Sequence, residues 1–146
     1  MQRTAALIPY SKEHHDGLLI ALRLKKGGPS SPHDTLWPTA IAEQRDALLR
    51  FAEHDLYPHF DREEQELFPA ITSISTIEQE LREAINSLHA DHQVMREMLK
   101  KLEAVSTILE IQELLRAFGT ILEAHIRKEE REVFPMIERY IDTITR

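Results

Sequence analysis

The chain has 146 residues, of which 42% are hydrophobic and 29% charged, and its formal net charge of −7 comes from 18 Lys+Arg against 25 Asp+Glu. This length is typical of one domain that buries enough apolar surface to fold without a disulfide or a metal, and the acidic balance argues against a nucleic-acid-binding face. There is no cysteine, which excludes disulfides, thiolate zinc sites and cysteine nucleophiles.

Apolar residues recur with helical spacing along nearly the whole chain, without sustained period-two alternation. The first predicted helix runs from about Ser11, a candidate N-cap, to about Lys26, where Gly27-Gly28-Pro29 ends it. The segment 27–38 is rich in Gly, Pro, Ser and Asp and is therefore predicted to be a loop.

The second helix is predicted from near Thr39 to Phe68-Pro69, with a kink or break at Pro58. The third opens with a capping box at residues 76–79 and reaches about Ala104. Thr107 caps the fourth, which is expected to kink or break at Pro135 before one more short helix. Four such helices with short connections predict an all-α fold: an antiparallel up-down four-helix bundle, in a single domain of residues 1–146.

One phrase occurs twice. Residues 59–69 read HFDREEQELFP and residues 125–135 read HIRKEEREVFP, with identical residues at the His, at three Glu and at the final Phe-Pro. The phrases fall on the second and fourth predicted helices, so the chain has a weak internal repeat of two helices each. Either the repeated phrase serves helix packing, or each copy supplies half of a metal site.

Polar residues interrupt the apolar stripe of every predicted helix. On three helices the stripe resumes after them, which places them in the core, where unpartnered carboxylates are very costly. A His and a Glu four residues apart point the same way on a helix. The predicted metal ligands are therefore four His and two Glu: His15, His59, Glu63, His92, His125 and Glu129.

This ligand set suits two metal ions. Glu63 and Glu129 can bridge two divalent ions that would otherwise repel each other, and neutral imidazoles fill terminal positions. A symmetric arrangement gives His15 and His59 to one ion and His92 and His125 to the other. Nitrogen and oxygen donors without sulfur suit Fe or Mn, while Zn is also chemically compatible. Coordination positions left open invite dioxygen, peroxide, nitric oxide or water.

Several neighbouring residues leave alternatives. His15 is preferred to His14 because its steps to Leu18 and Leu22 are apolar, but His14 remains a candidate. His89, three residues before His92, is a further candidate ligand. The second glutamates of the two phrases, Glu64 and Glu130, are interpreted as solvated charges, with an added metal ligand or a proton relay as the alternatives.

The doubled phrase, together with EHHDGLL at 13–19 and DHQVM at 91–95, resembles the hemerythrin-like, or HHE cation-binding, domains over essentially the whole chain. The resemblance implies an antiparallel four-helix bundle with a di-iron centre, bridged by oxo or hydroxo groups and carboxylates, and the same six ligands. Two positions depart from the oxygen-carrying hemerythrins. Leu88 stands where those have a fifth His, and Glu129 lies four residues after His125, where they have an Asp five residues on. Without the fifth His both metals would be more open, which favours sensing, peroxide or nitric oxide chemistry, or iron handling over oxygen carriage.

The function hypothesis is a di-iron protein that binds dioxygen, peroxide or nitric oxide for sensing, storage or redox and iron homeostasis. The alternatives are a di-iron enzyme that consumes peroxide or reduces dioxygen, and a Zn-bound or metal-free interaction bundle whose protein partner is unknown. No membrane partner is expected, since the longest apolar run, Leu18 to Leu22, is far too short to span a bilayer. The first residues lack the apolar stretch of a signal peptide, so a cytoplasmic location is expected.

Overall fold

A computed structural model describes residues 3–145, which form four long helices and, within that range, no strand. The helices are Ile8–Lys26, residues 41–72, Gln79–Ala104 and residues 108–145. The first and third each pack against the fourth, and the second packs against both the third and the fourth. This confirms the all-α class and is consistent with a four-helix bundle. None of the described helices has the length and hydropathy needed to cross a bilayer.

The helix ends follow the sequence signals only in part. Gly27 ends the first helix in a left-handed conformation with φ 80°, as predicted, and its N–H bonds to the Arg23 and Leu24 carbonyls. Thr107 caps the fourth helix as predicted, by accepting a hydrogen bond from the Glu110 N–H at 3.2 Å. Two predicted starts are wrong. The first helix begins at Ile8 rather than Ser11. The third begins at Gln79, with Glu78 at the N-cap position and no side-chain cap, while Thr76, the expected cap, hydrogen-bonds to the Tyr140 hydroxyl.

Three wide π-helical turns carry the second and fourth helices through their prolines: Ala52–Leu56, Glu63–Leu67 and Glu129–Val133. Each is followed by an aromatic residue and then a proline, and the aromatic N–H bonds to the carbonyl five residues back. Proline has no N–H and clashes with the carbonyl four residues back in a regular helix. The extra residue in the turn changes that register. The helices therefore continue to Thr72 and Thr145 instead of breaking at the prolines.

The interior contains two apolar clusters with buried polar residues between them in sequence. One cluster includes Phe60, Met95 and Ile126, and the other includes Phe68 and Leu88. Along the third helix, for example, His92 lies between Leu88 of one cluster and Met95 of the other, and all three side chains are fully buried. The polar residues thus interrupt an otherwise continuous core.

The first helix approaches the fourth closely because small residues line the contact. A Cβ added at Gly119 would lie 2.8 Å from Leu24 Cβ and 3.0 Å from the Ala21 carbonyl oxygen. A Cβ added at Gly17 would lie 2.7 Å from Ile126 Cδ1. Glycine at both positions therefore sets the distance between these helices, and with it the placement of any polar residue that the first helix contributes to the interior.

Gly119→Ala is expected to destabilise the protein by about 1–3 kcal/mol, because the added methyl group meets backbone as well as side chain. Gly28→Ala is the matched control, since a Cβ there meets nothing within 4 Å. Urea unfolding followed by circular dichroism measures both. Equal midpoints for the two variants would show that the first and fourth helices are not in tight contact at Gly119.

Candidate metal centre

Six buried side chains from all four helices converge between the two apolar clusters, and none is more than 4% exposed: His14, His59, Glu63, His92, His125 and Glu129. We call them the polar cluster. They form two groups, in each of which one donor atom per residue lies within 4.8 Å of the others. The first half-site is His14 and His59 with both glutamates, and the second is His92 and His125 with both glutamates. Glu63 and Glu129, the two carboxylates that the sequence suggests as bridges, belong to both groups.

His14, and not His15, comes from the first helix. His14 is 4% exposed, whereas His15 points to solvent, so the prediction that His15 lies in the interior is wrong. The stripe of His15, Leu18 and Leu22 that supported it does not face the core, since Leu22 is 42% exposed. The inward stripe is instead formed by residues that the close packing requires to be small or buried: His14, Gly17, Ala21 and Leu24. The acidic residue before the histidine, in Glu13-His14 and Asp91-His92, was the signal available in the sequence.

The remaining candidate histidine, His89, does not join the polar cluster. It is half-buried, and its ring meets Phe68 edge to face with centroids 5.0 Å apart. It belongs to neither group of potential ligands. His89 therefore packs against the apolar cluster below the polar residues and contributes no donor atom to them.

Distances between imidazole nitrogens and carboxylate oxygens suit donors that share a metal ion. Glu63 Oε1 lies 3.3 Å from His59 Nε2 and 3.1 Å from His92 Nε2. Glu129 Oε2 lies 3.5 Å from His14 Nε2 and 3.1 Å from His125 Nε2. Two donors bound at right angles to one ion, each about 2.1 Å from it, lie about 3 Å apart. Each carboxylate thus has one oxygen close to a histidine of each half-site.

Among the side chains that the structure describes, no hydrogen-bond partner exists for the inward-facing atoms of the polar cluster. These atoms are the Nε2 of all four histidines and both carboxylate oxygens of Glu63 and Glu129. Buried polar atoms in folded proteins are nearly always satisfied, and an unsatisfied one costs about 1–3 kcal/mol. Eight such atoms facing one another fit the donor set of two metal ions.

A carboxylate from a neighbouring helix lies on the outer nitrogen of each imidazole. The Nδ1 atoms of His59, His92 and His125 hydrogen-bond to Glu13, Glu64 and Asp91 at 3.2, 2.7 and 2.9 Å. His14 Nδ1 lies 3.5 Å from Glu130, an ion-pair distance without a hydrogen bond. An Nδ1–H that donates to an anion leaves Nε2 free as a ligand. We call Glu13, Glu64, Asp91 and Glu130 the outer carboxylates.

The interpretation of Glu64 and Glu130 as solvated charges is therefore wrong. Their side chains are only 22% and 23% exposed, and each reaches a histidine on a different helix. These contacts join the two helices that carry the phrase to the other two helices. The second Glu of each phrase contacts a histidine on the first or the third helix, while Glu13 and Asp91 of those helices contact the histidines of the phrases. The sequence signal was that both second glutamates repeat.

The electrostatics keep the cluster ready to bind cations. Burial alone would raise the pKa of Glu63, but the imidazoles of His59 and His92 outweigh burial and lower its pKa to about 2. Burial lowers the pKa of His125, against the opposing effect of Asp91. The glutamate is thus an anion and His125 a neutral imidazole near pH 7, which are the protonation states that bind divalent ions.

A cavity of about 30 Å³ adjoins the first half-site. Its lining includes His14, His59 and His125 of the polar cluster, together with Gly17 and Ile126. Phe60 also lines this cavity, and the two phrases differ in the residue that follows the histidine. Phe60, after His59, stacks on His92 with ring centroids 3.9 Å apart, whereas Ile126 stands at the matching position after His125. A space of this size admits one or two water-sized molecules.

Comparison with known proteins gives one result. The family model for the hemerythrin HHE cation-binding domain matches residues 7–137. No curated protein and no solved structure gave a significant match. The matched segment includes every residue of the polar cluster and nearly all of the four helices. The chain therefore belongs to the hemerythrin HHE cation-binding domain family.

Proposed function

We propose that the chain is a di-iron protein whose metal pair binds dioxygen, peroxide or nitric oxide. His14 and His59 would hold one ion, His92 and His125 the other, and both glutamates would bridge the two. The observation that carries this proposal is the set of eight buried donor atoms without hydrogen-bond partners. Membership of a cation-binding family supports metal binding. Bound iron would supply redox chemistry and open coordination positions for the small ligand.

The donor set is compatible with iron. It has four imidazoles and two carboxylates and no sulfur, which suits Fe and Mn and tolerates Zn. Two histidines and a carboxylate on each ion resemble the set used by non-haem Fe(II), in which coordination positions stay open. Each ion would share the carboxylates, so positions not taken by protein atoms are available to an exogenous ligand.

Small-ligand binding at the first half-site is supported by the cavity. The first half-site has Ile126 where the other phrase has a phenylalanine. It also has Gly17 three residues after His14, whereas the second half-site has the fully buried Met95 three residues after His92. Both differences make the first side roomier. A ligand of two or three atoms fits the space, while a larger substrate does not.

We also propose that the helices are antiparallel in up-down order. Two contacts between the first and fourth helices support it: Ser11 bonds to Glu130 at 3.0 Å, and Lys25 bonds to Glu123 at 3.1 Å. Higher numbers on one helix thus meet lower numbers on the other. The short connections between consecutive helices support the same order for the other pairs.

Ligand binding is tested by adding nitric oxide or azide to the reduced, iron-loaded protein and following the optical spectrum. Wild-type protein is expected to show a saturable spectral change. Ile126→Phe, which copies the phenylalanine of the other phrase, is expected to weaken binding about tenfold or more, because overpacking the cavity costs about 1–3 kcal/mol.

The matched control is Ile121→Phe, a half-buried isoleucine on the same helix that does not line the cavity. Iron content must stay at the wild-type level in both variants. Unchanged nitric oxide affinity in Ile126→Phe would exclude the cavity as the ligand site, and a wild-type spectrum that never responds would exclude small-ligand binding.

A further inference from the structure

A cation lies beyond each outer carboxylate. The polar cluster is thus surrounded by four side-chain networks of the same kind, in each of which an imidazole contacts a carboxylate and the carboxylate contacts a cation. The networks are His14–Glu130–Arg3, His59–Glu13–Arg62, His92–Glu64–Arg96 and His125–Asp91–Lys128. Every network joins side chains from at least two separate segments of the protein. The four imidazoles, four carboxylates and four cations together carry no net charge when the imidazoles are neutral.

The two half-sites differ in how the cation meets the carboxylate. In the second half-site one oxygen serves both neighbours: Glu64 Oε2 lies 2.7 Å from His92 Nδ1 and 2.8 Å from Arg96 Nη1. Likewise Asp91 Oδ2 lies 2.9 Å from His125 Nδ1 and 2.6 Å from Lys128 Nζ. In the first half-site the imidazole and the cation contact different oxygens of Glu13 and of Glu130.

Sharing one oxygen has an electronic consequence. A carboxylate that accepts the Nδ1–H makes the imidazole a stronger donor through Nε2. A cation on the same oxygen draws electron density away and weakens that effect. It also holds the carboxylate in place, because the oxygen is fixed from two sides. The charges lie only partly in solvent, with Arg96 25% and Lys128 30% exposed, so screening reduces their field without removing it.

Arg96 makes a second contact toward the same histidine. Its guanidinium lies over the Phe60 ring at 5.4 Å, and that ring stacks on His92 with centroids 3.9 Å apart. The Arg96 side chain is therefore fixed by Glu64 and by Phe60 together. A loose surface ion pair would have neither the shared oxygen nor the ring between the charge and the imidazole.

We propose that Arg96 and Lys128 are positioning residues that act through Glu64 and Asp91 to set the donor strength of His92 and His125, and so raise the reduction potential of the metal pair. This inference rests on the proposed function, since it requires that the polar cluster binds redox-active metal. The same geometry makes the first half-site the more electron-rich one, because its imidazoles face carboxylate oxygens that no cation shares.

The test is a redox titration of iron-loaded protein, with iron content measured in the same samples. Arg96→Gln and Lys128→Gln are each expected to keep their iron. Each should shift the ratio of oxidised to reduced protein at a fixed potential roughly two- to fivefold toward the oxidised form, the scale of a partly exposed ion pair. Arg96→Lys keeps the charge and should restore most of the potential.

Arg50→Gln is the matched control, because it removes an exposed arginine of the second helix away from the cluster. Potentials of Arg96→Gln and Lys128→Gln equal to that of the control would overturn the inference, as would an Arg96→Lys protein that behaves like Arg96→Gln. Circular dichroism identifies a variant that misfolds, and the other variant then decides. Wild-type protein without iron would overturn the proposed function and this inference with it, whereas iron-replete variants with unchanged potentials overturn this inference alone.

Discussion

Replacing Glu63 by glutamine is expected to abolish binding of the metal pair, leaving at most one ion per chain. Two unit charges about 4 Å apart repel by about 4 kcal/mol at an effective dielectric constant of about 20, and two divalent ions repel about four times as strongly. Glu63 is fully buried, and its carboxylate lies 3.3 and 3.1 Å from histidines of different half-sites. A neutral amide cannot offset that repulsion, so the pair cannot form.

Glu66→Gln is the matched control, since this exposed glutamate lies in the same helical turn and points to solvent. Metal content after purification and dialysis, measured by plasma mass spectrometry, compares the two proteins. A Glu63→Gln protein with the same metal content as Glu66→Gln would show that Glu63 does not bridge. Glu129→Gln is expected to match Glu63→Gln, because Glu129 has the same place in the other phrase.

Substitution of the adjacent residues His14 and His15 is expected to have very different effects on the number of metal ions bound. His14→Ala is expected to lose the ion of the first half-site and to retain about one ion per chain, because His92, His125 and the glutamates of the second half-site remain. His15→Ala is expected to bind metal like the wild type, since its side chain points to solvent. The two variants differ by one position, so helix propensity and the change in composition are matched.

Metal titration with Fe(II) under anaerobic conditions gives the number of ions bound by each variant. The reverse result, with His15→Ala defective and His14→Ala normal, would restore the assignment that the apolar stripe suggested. It would also mean that the first helix is rotated by about 100° from the structure described here.

Much of this arrangement was predictable because it depends on local sequence. The His and Glu four residues apart in each phrase share a helix face whatever the tertiary structure, and they lie where expected. Helix capping by Thr107 and termination at Gly27 are likewise local. Family membership was predictable for the same reason, since the repeated phrase is contiguous.

The rest depends on how helices pack, which spacing alone does not determine. The apolar stripe alone could not decide between His14 and His15, because Gly17 and Gly119 draw the first helix against the fourth and Leu22 then faces outward. The contacts of Glu64 with His92 and of Glu130 with His14 join different helices, so the periodicity of residues within one helix does not predict them. The second helix continues through Pro58 by means of a π turn, which could not be predicted from the sequence pattern.

The most direct test of the proposed di-iron centre is the metal content of wild-type protein purified without added metal. We expect about two iron ions per chain, bound by the eight inward-facing donor atoms of the polar cluster. Chelation should lower the melting temperature, because these atoms then lose their partners. Less than one iron per chain, with zinc or no metal in its place, would contradict a di-iron centre.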